Sequence, residues 1–168
     1  MTMSMYQASV PVFMQMLGAL SAVLDKASAH TAARKIDPAA LLQARLYPDM
    51  FPFTRQVQLA CDFAKNSTAR LAGVEAPKMP DDEKSFDELR ARVAKTLAYL
   101  KTLKPEQIDG SEEREVTIPI AGQPTTFKGQ RYLLGSALPN FFFHVTTAYD
   151  LLRHNGVEIG KRDFIGAA

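Results

Sequence analysis

The sequence predicts an all-α protein, a four-helix bundle in one domain over residues 1–168, with a small β-hairpin before the last helix. Three observations lead to this prediction. Apolar residues recur every three or four positions in four long segments, which is the spacing of amphipathic helices. Capping and stop residues stand at the ends of those segments. Strand-like β-branched residues are confined to one short stretch, residues 113–128.

Length and charge narrow the classes of function. With 168 residues, the chain suits one domain that buries roughly two thirds of its unfolded surface. The formal net charge of +2 is too small and too evenly spread to indicate nucleic acid or a membrane surface as a partner. Cys61 is the only cysteine, so no internal disulfide can form, which fits a cytoplasmic protein.

The N-terminal segment predicts the first helix rather than a targeting signal. Residues 4–30 carry apolar side chains at helical spacing, and no basic segment precedes them. Pro11 fits only a first turn, so we expect the regular helix to begin near Val10. No apolar run approaches the ~18 residues that span a bilayer, and we therefore expect no membrane segment.

Proline and glycine divide the middle of the chain. A short helix is predicted over residues 38–46, because Asp37 is a good N-cap and Pro48 ends the segment. A long helix is predicted over residues 52–71, and Gly73 is its natural left-handed stop.

A third long helix and a hairpin follow. The helix is predicted over residues 85–103, and its opening "SFDE" reads as a capping box. The hairpin is predicted to pair residues 113–120 with residues 125–128 around the turn-forming "AGQP". Two strands alone are marginal in water, so we expect the hairpin to pack on the helices.

The last long helix, residues 139–156, contains the most informative candidate residue. In "PNFFFHVTTAYDLLRHNG", three phenylalanines run into His144, and Asn140 lies one turn earlier on the same face. Tyr149 shares the wide apolar face of this helix. His144 is either a core histidine whose ring is hydrogen-bonded, or a metal ligand or proton-transfer group. The tail over residues 157–168 is short and turn-rich.

The other polar candidates have mainly structural interpretations. Gln56 lies near the inward face of its helix, where a structural hydrogen bond is expected, and Asp49 is interpreted as the N-cap of that helix. Cys61 has no nearby cation in sequence and is expected to be buried and inert. His30 and His154 stand near helix ends, where a cation suits the helix dipole. The spacings H-x-x-x-H, C-x-x-C and H-x-x-E, typical of metal sites, do not occur in the sequence.

Four stretches together resemble one family closely. They are "VPVFMQMLGALSAVLDKA", "ARLYPDMFPFTRQVQLACDFAK", "ARLAG" and "LPNFFFHVTTAYDLLRHNGVEIGKRDFIG". They resemble the domain-of-unknown-function family DUF1993, within the DinB/YfiT-like superfamily. The resemblance implies a DinB-like four-helix bundle with a crossover connection, a homodimer, and relatives that include metalloenzymes and thiol-dependent transferases.

The resemblance also implies where a site would lie. The typical superfamily site has one histidine on the second helix and an H-x-x-x-H on the fourth. On this chain these positions fall near Gln56, at Asn140 and at His144, because Leu152 and Arg153 match a later leucine–arginine pair. Two of the three imidazoles are thus replaced by amides, which are poorer ligands for nickel or zinc. We expect weak metal binding, if any, with His144 as its ligand.

Three hypotheses follow for the function. In the first, the protein is a non-catalytic homodimer that binds a small ligand in a degenerate pocket, which consists of Gln56, Asn140, His144, Asp49 and Tyr149. In the second, it is a metal-dependent enzyme of the thiol-transferase or hydrolase kind, with His144 as base or sole imidazole ligand and Asp49 or Asp62 as a helper. In the third, it is a protein-interaction module that uses the hairpin and a helix face.

Overall fold

A computed structural model describes residues 3–166, and helices make up most of them. The helices are α1 (Val10–Arg34), α2 (Pro38–Leu42), α3 (Phe53–Ala72), α4 (Phe86–Thr102), α5 (Pro105–Ile108), α6 (Gly129–Tyr132), α7 (Leu138–His154) and α8 (Lys161–Ile165). The strands are β1 (Glu115–Ile120) and β2 (Gln123–Lys128), and a π-helical segment covers Leu133–Ala137. A mostly helical fold with one small antiparallel sheet is thereby confirmed.

The core lies between the four long helices α1, α3, α4 and α7. Helix α3 packs against α7 and α4, and α1 packs against α4 and α8. Phe13 of α1 and Phe141 of α7 meet edge to face, with ring centroids 4.8 Å apart, and both are fully buried. The apolar residues that the sequence places at helical spacing therefore form the common interior of the fold.

Helix α1 bears on the expectation that the chain has no segment able to span a membrane. Among the described residues it is the one helix long and apolar enough to cross a bilayer, with a mean hydropathy of 1.2 over its most apolar window. The expectation that no segment approaches that length was therefore too strict. Half of that window is buried inside the protein, and Leu17 and Leu24 have no exposed surface, which is how a core helix behaves.

Most predicted helix ends are found. Asp37 caps α2 by accepting a hydrogen bond from the Ala39 amide at 2.9 Å, although α2 ends at Leu42, earlier than predicted. Gly73 ends α3 with a φ of 69°, the left-handed conformation that glycine adopts without strain. Both predictions depended on interactions within a few residues of the helix end, and tertiary packing does not change these.

The predicted capping box is half formed. The Ser85 hydroxyl accepts from the Glu88 amide at 3.1 Å, as expected. The Glu88 carboxylate, however, accepts from the amide of Lys84 at 2.5 Å instead of reaching the Ser85 amide.

The hairpin differs from its prediction at the turn. Strand β2 begins at Gln123, so the turn consists of Ala121 and Gly122 alone, both with positive φ. A two-residue turn of this kind matches the right-handed twist of the strands. Val116 of β1 is buried, which anchors the hairpin to the helices as expected.

The last long helix starts about ten residues earlier than predicted. Gly129–Tyr132, the π-helical segment and α7 run on without a break, so Pro139 lies inside a continuous helix. Proline has no amide hydrogen and clashes with the carbonyl four residues before it. The wider π turn absorbs that clash: the Leu138 amide donates to the Leu133 carbonyl, five residues back. The Asn140 side-chain amide donates to the Ser136 carbonyl at 2.8 Å.

The C-terminal tail, predicted to be short and turn-rich, contains one short helix, Lys161–Ile165. Lys26 of α1 forms an ion pair with Asp163 at 2.7 Å, and Asp163 also accepts from the Gly160 amide at 2.8 Å. Phe164 packs edge to face on Tyr149, with centroids 5.7 Å apart. These long-range contacts order a segment whose local sequence is weakly helical.

We expect Gly129→Ala to lower the free energy of unfolding by about 1–3 kcal/mol. A Cβ at Gly129 would lie 2.0 Å from the Ser111 carbonyl oxygen, and the Arg114 amide donates to that oxygen at 3.0 Å, so the backbone cannot retreat freely. Urea unfolding measures the change.

Gly18→Ala is the matched control. A Cβ there meets no described atom within 4 Å, and the residue lies inside α1, so alanine is expected to stabilise the protein by about 0.5–1 kcal/mol. Equal stability of the two variants would contradict the steric argument.

Candidate functional site

A buried hydrogen bond between Gln56 and His144 joins α3 to α7. The Gln56 Oε1 and His144 Nδ1 atoms are 2.7 Å apart, and the two residues are 1% and 8% exposed. The Gln56 amide nitrogen donates to the Phe51 carbonyl at 3.1 Å. The Gln56 oxygen must therefore be the acceptor, which places the ring proton of His144 on Nδ1.

Aromatic rings enclose the imidazole. Phe63 of α3 stacks on His144 with centroids 5.5 Å apart and an interplanar angle of 20°. Phe143 contacts the same ring edge to face at 5.3 Å. Burial, and secondly the positive charge of Arg55, lower the pKa of His144 from 6.5 to about 4. At neutral pH the ring is thus uncharged.

The donor set around His144 does not fit a nickel or zinc ion. The Gln56 oxygen is occupied by the ring N–H, and the Asn140 amide is directed to the Ser136 carbonyl. Within residues 3–166 no three His, Cys, Asp or Glu side chains are grouped to hold a metal. One imidazole nitrogen with amide neighbours is a poor site for either ion.

Two other sequence candidates lie away from this pair. Asp49 is exposed, and the N-cap position of α3 is Pro52, so the interpretation of Asp49 as that cap is wrong. Its local sequence suggested a cap, but the chain makes a further turn before α3 begins. Tyr149 is half-buried and packs on Phe164 of α8.

Asn140 and Phe63 line a cavity of about 460 Å³ between α3, the hairpin and the helix that begins at Gly129. We call it the hairpin cavity. Its apolar wall includes Leu59, Phe63, Ile118 and Ile120, and its polar wall includes Asp62, Asn66, Arg70, Ser136 and Asn140. Through Phe63 it adjoins the ring of His144. A cleft between helices with a few convergent polar groups is the usual form of a small-molecule site, and π-helical segments are frequent at such sites.

Arg70 is the available cation of the hairpin cavity. It donates to the Tyr132 hydroxyl at 2.8 Å, and that hydroxyl contacts Ser67 Oγ at 3.3 Å. In the described part of the chain, no carboxylate lies within ion-pair distance of Arg70. Asp62 is engaged elsewhere, since its Oδ1 contacts Arg92 at 2.9 Å and Lys65 at 3.1 Å. Arg70 is thus positioned but not neutralised.

Sequence reasoning missed a buried ionic network around Arg92 of α4. This guanidinium, 2% exposed, bonds to Asp62 of α3 at 2.9 Å and, from the loop before α4, to Asp81 at 2.9 Å and Glu83 at 3.0 Å. One feature of the sequence could have indicated this network: Arg92 directly precedes Val93, an inward-facing residue of the same helix.

The neighbouring thiol is as predicted. Cys61 is fully buried, and burial raises its pKa to about 12. A thiol in this state is protonated at neutral pH and is a poor nucleophile.

We expect the ring of His144 to titrate with a midpoint near pH 4. In a variant with His30→Gln and His154→Gln, it is the one imidazole left, so NMR of its ring carbons follows it directly. The Nδ1–H tautomer should persist above the midpoint. A midpoint at or above 6.5 would contradict the buried, neutral state.

The same titration affects stability with a definite sign. The unfolded chain binds the proton at the ordinary pKa of 6.5, above the folded-state value. The stabilisation is therefore complete above pH 6.5, decreases by roughly 3 kcal/mol as the pH falls to about 4, and then levels off.

Comparison with known proteins places the chain in a family. A family model described as a domain of unknown function, DUF1993, matches residues 5–165. A crystal structure of a DinB family member protein from Shewanella denitrificans is 42% identical and superposes with a TM-score of 0.88, over 97% of this chain and 92% of that one. Among curated proteins, none matches. The resemblance expected from the sequence is confirmed, and the chain belongs to the DUF1993 family.

Proposed function

We propose that this protein binds a small carboxylic acid in the hairpin cavity and does so without a metal ion. The observation that carries the proposal is Arg70, a cation at a cavity wall with a fixed hydroxyl partner and no carboxylate partner among the described residues. A guanidinium offers a carboxylate two parallel hydrogen bonds. Because Tyr132 holds the side chain in place, little rotamer freedom is lost on binding.

The remaining wall suits the body of such a ligand. Phe63, Leu59 and the hairpin residues Ile118 and Ile120 offer apolar surface, and Asn140 supplies amide groups near the π-helical segment. An acid with a short apolar or aromatic body satisfies both halves of the cavity. Ile120 is 45% exposed, so a ligand that covers it also removes apolar surface from water.

We further propose that the Gln56–His144 pair is what remains of a superfamily metal site in a DinB-like four-helix bundle with a crossover connection. The support is positional: the pair joins α3 to α7, and Asn140 lies one turn before His144. In this interpretation the hydrogen bond between the pair closes the site instead of a metal. His144 then acts as a structural residue that also supports the ring of Phe63 by stacking on it.

The setting of the protein is also a proposal. We propose a cytoplasmic homodimer, supported by the single buried cysteine and by exposed apolar side chains. Phe51 and Phe143 are 54% and 55% exposed and flank the Gln56–His144 pair. The alternative of a protein-interaction module would use such a surface for a different partner.

We expect Arg70→Met to weaken binding of phenylacetate by about tenfold or more, because a charge-assisted hydrogen bond contributes roughly 1.5–3 kcal/mol. Calorimetric titration measures the affinity. The uncharged analogue 2-phenylethanol should bind weakly to both proteins.

Arg153→Met is the control for this experiment. Arg153 is exposed on α7, so its loss changes the net charge equally without touching the cavity. Equal weakening by Arg70→Met and Arg153→Met would reduce the effect to long-range charge, and wild-type protein that does not discriminate phenylacetate from the alcohol would refute the carboxylate site.

We expect the double variant Gln56→His, Asn140→His to gain zinc or nickel, because it restores two imidazoles beside His144. Elemental analysis of purified protein measures metal per chain, with about one ion expected in the variant. Gln130→His with Asn155→His, two exposed positions, is the matched control. A double variant that holds no more metal than this control would refute the degenerate-site interpretation.

A further inference from the structure

The polar residues of the hairpin cavity form two facing rows, one on each helix that borders it. In each row the members are four residues apart, which keeps them along one side of a helix. The rows are Asp62, Asn66 and Arg70 on α3, and Tyr132, Ser136 and Asn140 on the continuous helix that contains the π turn. The three α3 members are half-buried, whereas positions 64, 65 and 67–69 between them are buried. The α3 row therefore faces the cavity and not the core.

Two hydrogen bonds fix how the rows are aligned. Gln56 pairs with His144 at one end of the contact between the two helices, and Arg70 pairs with Tyr132 at the other. The helices are therefore antiparallel, and the two rows run in opposite directions along the cavity. Arg70 stands at one end of the cavity, and the first member of its row stands two turns of α3 away, a rise of about 12 Å.

Asp62 and Asn140 stand at the far end of the cavity, and each has a free acceptor. Asp62 binds Arg92 and Lys65 through Oδ1, whereas its Oδ2 makes no hydrogen bond or ion pair within residues 3–166. Because the Asp62 side chain is 22% exposed and lines this cavity, Oδ2 is available to a ligand. The Asn140 amide nitrogen donates to the Ser136 carbonyl, which leaves Oδ1 without a partner among the same residues. A positively charged group with several donors fits this end.

The charges around Asp62 do not oppose a bound cation. Asp62 belongs to the ionic network around Arg92, in which carboxylates and cations are equal in number. The carboxylates are Asp62, Asp81 and Glu83, and the cations are Arg55, Lys65 and Arg92. A ligand carboxylate would be repelled by Asp62 and attracted by Arg70. The cavity therefore favours one orientation of a ligand that carries both charges.

We propose that the ligand of the hairpin cavity is an elongated amino acid, with a primary ammonium group at one end, an apolar spacer and a carboxylate at the other end. The ammonium group donates to Asp62 Oδ2 and Asn140 Oδ1, the spacer packs on Phe63 and Ile118, and the carboxylate accepts from Arg70. This inference rests on the proposed function, from which it takes the carboxylate at Arg70. An α-amino acid carries both charges on one carbon and cannot reach both ends of the cavity.

The compound 4-(aminomethyl)phenylacetate is the probe, because its two charges stand at opposite ends of an aromatic ring. Its matched control is 4-ethylphenylacetate, in which a methyl group replaces the ammonium group. In calorimetric titration of the wild-type protein, the probe should bind about tenfold more tightly than this control, the effect of one charge-assisted hydrogen bond. Free phenylalanine, with both charges at one end, should bind no more tightly than phenylacetate.

The possible failures of this inference and of the proposed function are distinct. Equal affinities of the probe and 4-ethylphenylacetate would overturn the inference, while the carboxylate site would stand if phenylacetate still binds more tightly than 2-phenylethanol. Absence of binding by all of these acids would overturn both.

Two variants locate the ammonium group, and the readout is the ratio of the affinities for the probe and for 4-ethylphenylacetate. Asp62→Asn keeps the size of the side chain and removes its charge, so it should abolish the preference for the probe. Asn140→Ala removes the other acceptor without touching the Arg92 network and should lower the ratio about fivefold. Asp150→Asn is the matched control, because Asp150 is exposed on α7 and outside the cavity. A ratio unchanged in both Asp62→Asn and Asn140→Ala would overturn the inference.

Discussion

The contact between the Arg92 guanidinium and the Asp62 carboxylate is the buried ionic constraint that ties α4 to α3. It joins α4 to α3 at 2.9 Å. Arg92 lines a cavity of about 720 Å³ between α4 and the loop before it, and Asp62 lines the hairpin cavity. Burying a guanidinium is costly unless partners replace the lost water. Asp81 and Glu83 supply that replacement, so the network also fixes the loop that closes the first cavity. The packing of α4 and its preceding loop on α3 therefore includes a buried, charge-compensated contact as well as apolar packing.

Helix α3 serves three neighbours with two faces: Gln56 and Arg70 lie on nearly the same face at opposite ends of the helix, and Gln58 lies on another. Gln56 faces α7 and holds the imidazole of His144. Gln58 donates to Glu83 at 2.8 Å, which ties the loop to the helix, while Arg70 lies on the hairpin side. Positions three and four apart share a face, and positions two apart do not. One amphipathic helix thus carries core, network and cavity residues without conflict.

The parts of the molecule that the sequence predicted are those fixed by local chemistry. Helical spacing, the Asp37 cap and the Gly73 stop are local, as is the inward direction of His144 on its helix. The Arg92 network depends on partners 9 to 30 residues away, and no local pattern specifies them. Pro139 led to a wrong start for the last helix. Proline usually marks the first turn of a helix, whereas here the π turn accommodates it inside a continuous helix. The site candidates were half brought together: Gln56 meets His144, whereas Asn140 bonds to its own helix.

The hydrogen bond from Asn140 to its own helix bears on whether the protein could bind a metal ion. In the superfamily site proposed above, position 140 would hold an imidazole directed away from its own helix. Here Asn140 instead occupies the Ser136 carbonyl beside the π-helical segment, and Gln56 occupies the Nδ1 proton of His144. Each amide therefore makes a structural hydrogen bond at a position where the proposed superfamily site would hold a metal-binding imidazole. A thiol-transferase needs a cation to stabilise its thiolate, and the amides of Gln56 and Asn140 are poor ligands for such an ion. Recognition of a ligand by a fixed guanidinium demands no such activation, and that is the chemistry proposed for Arg70.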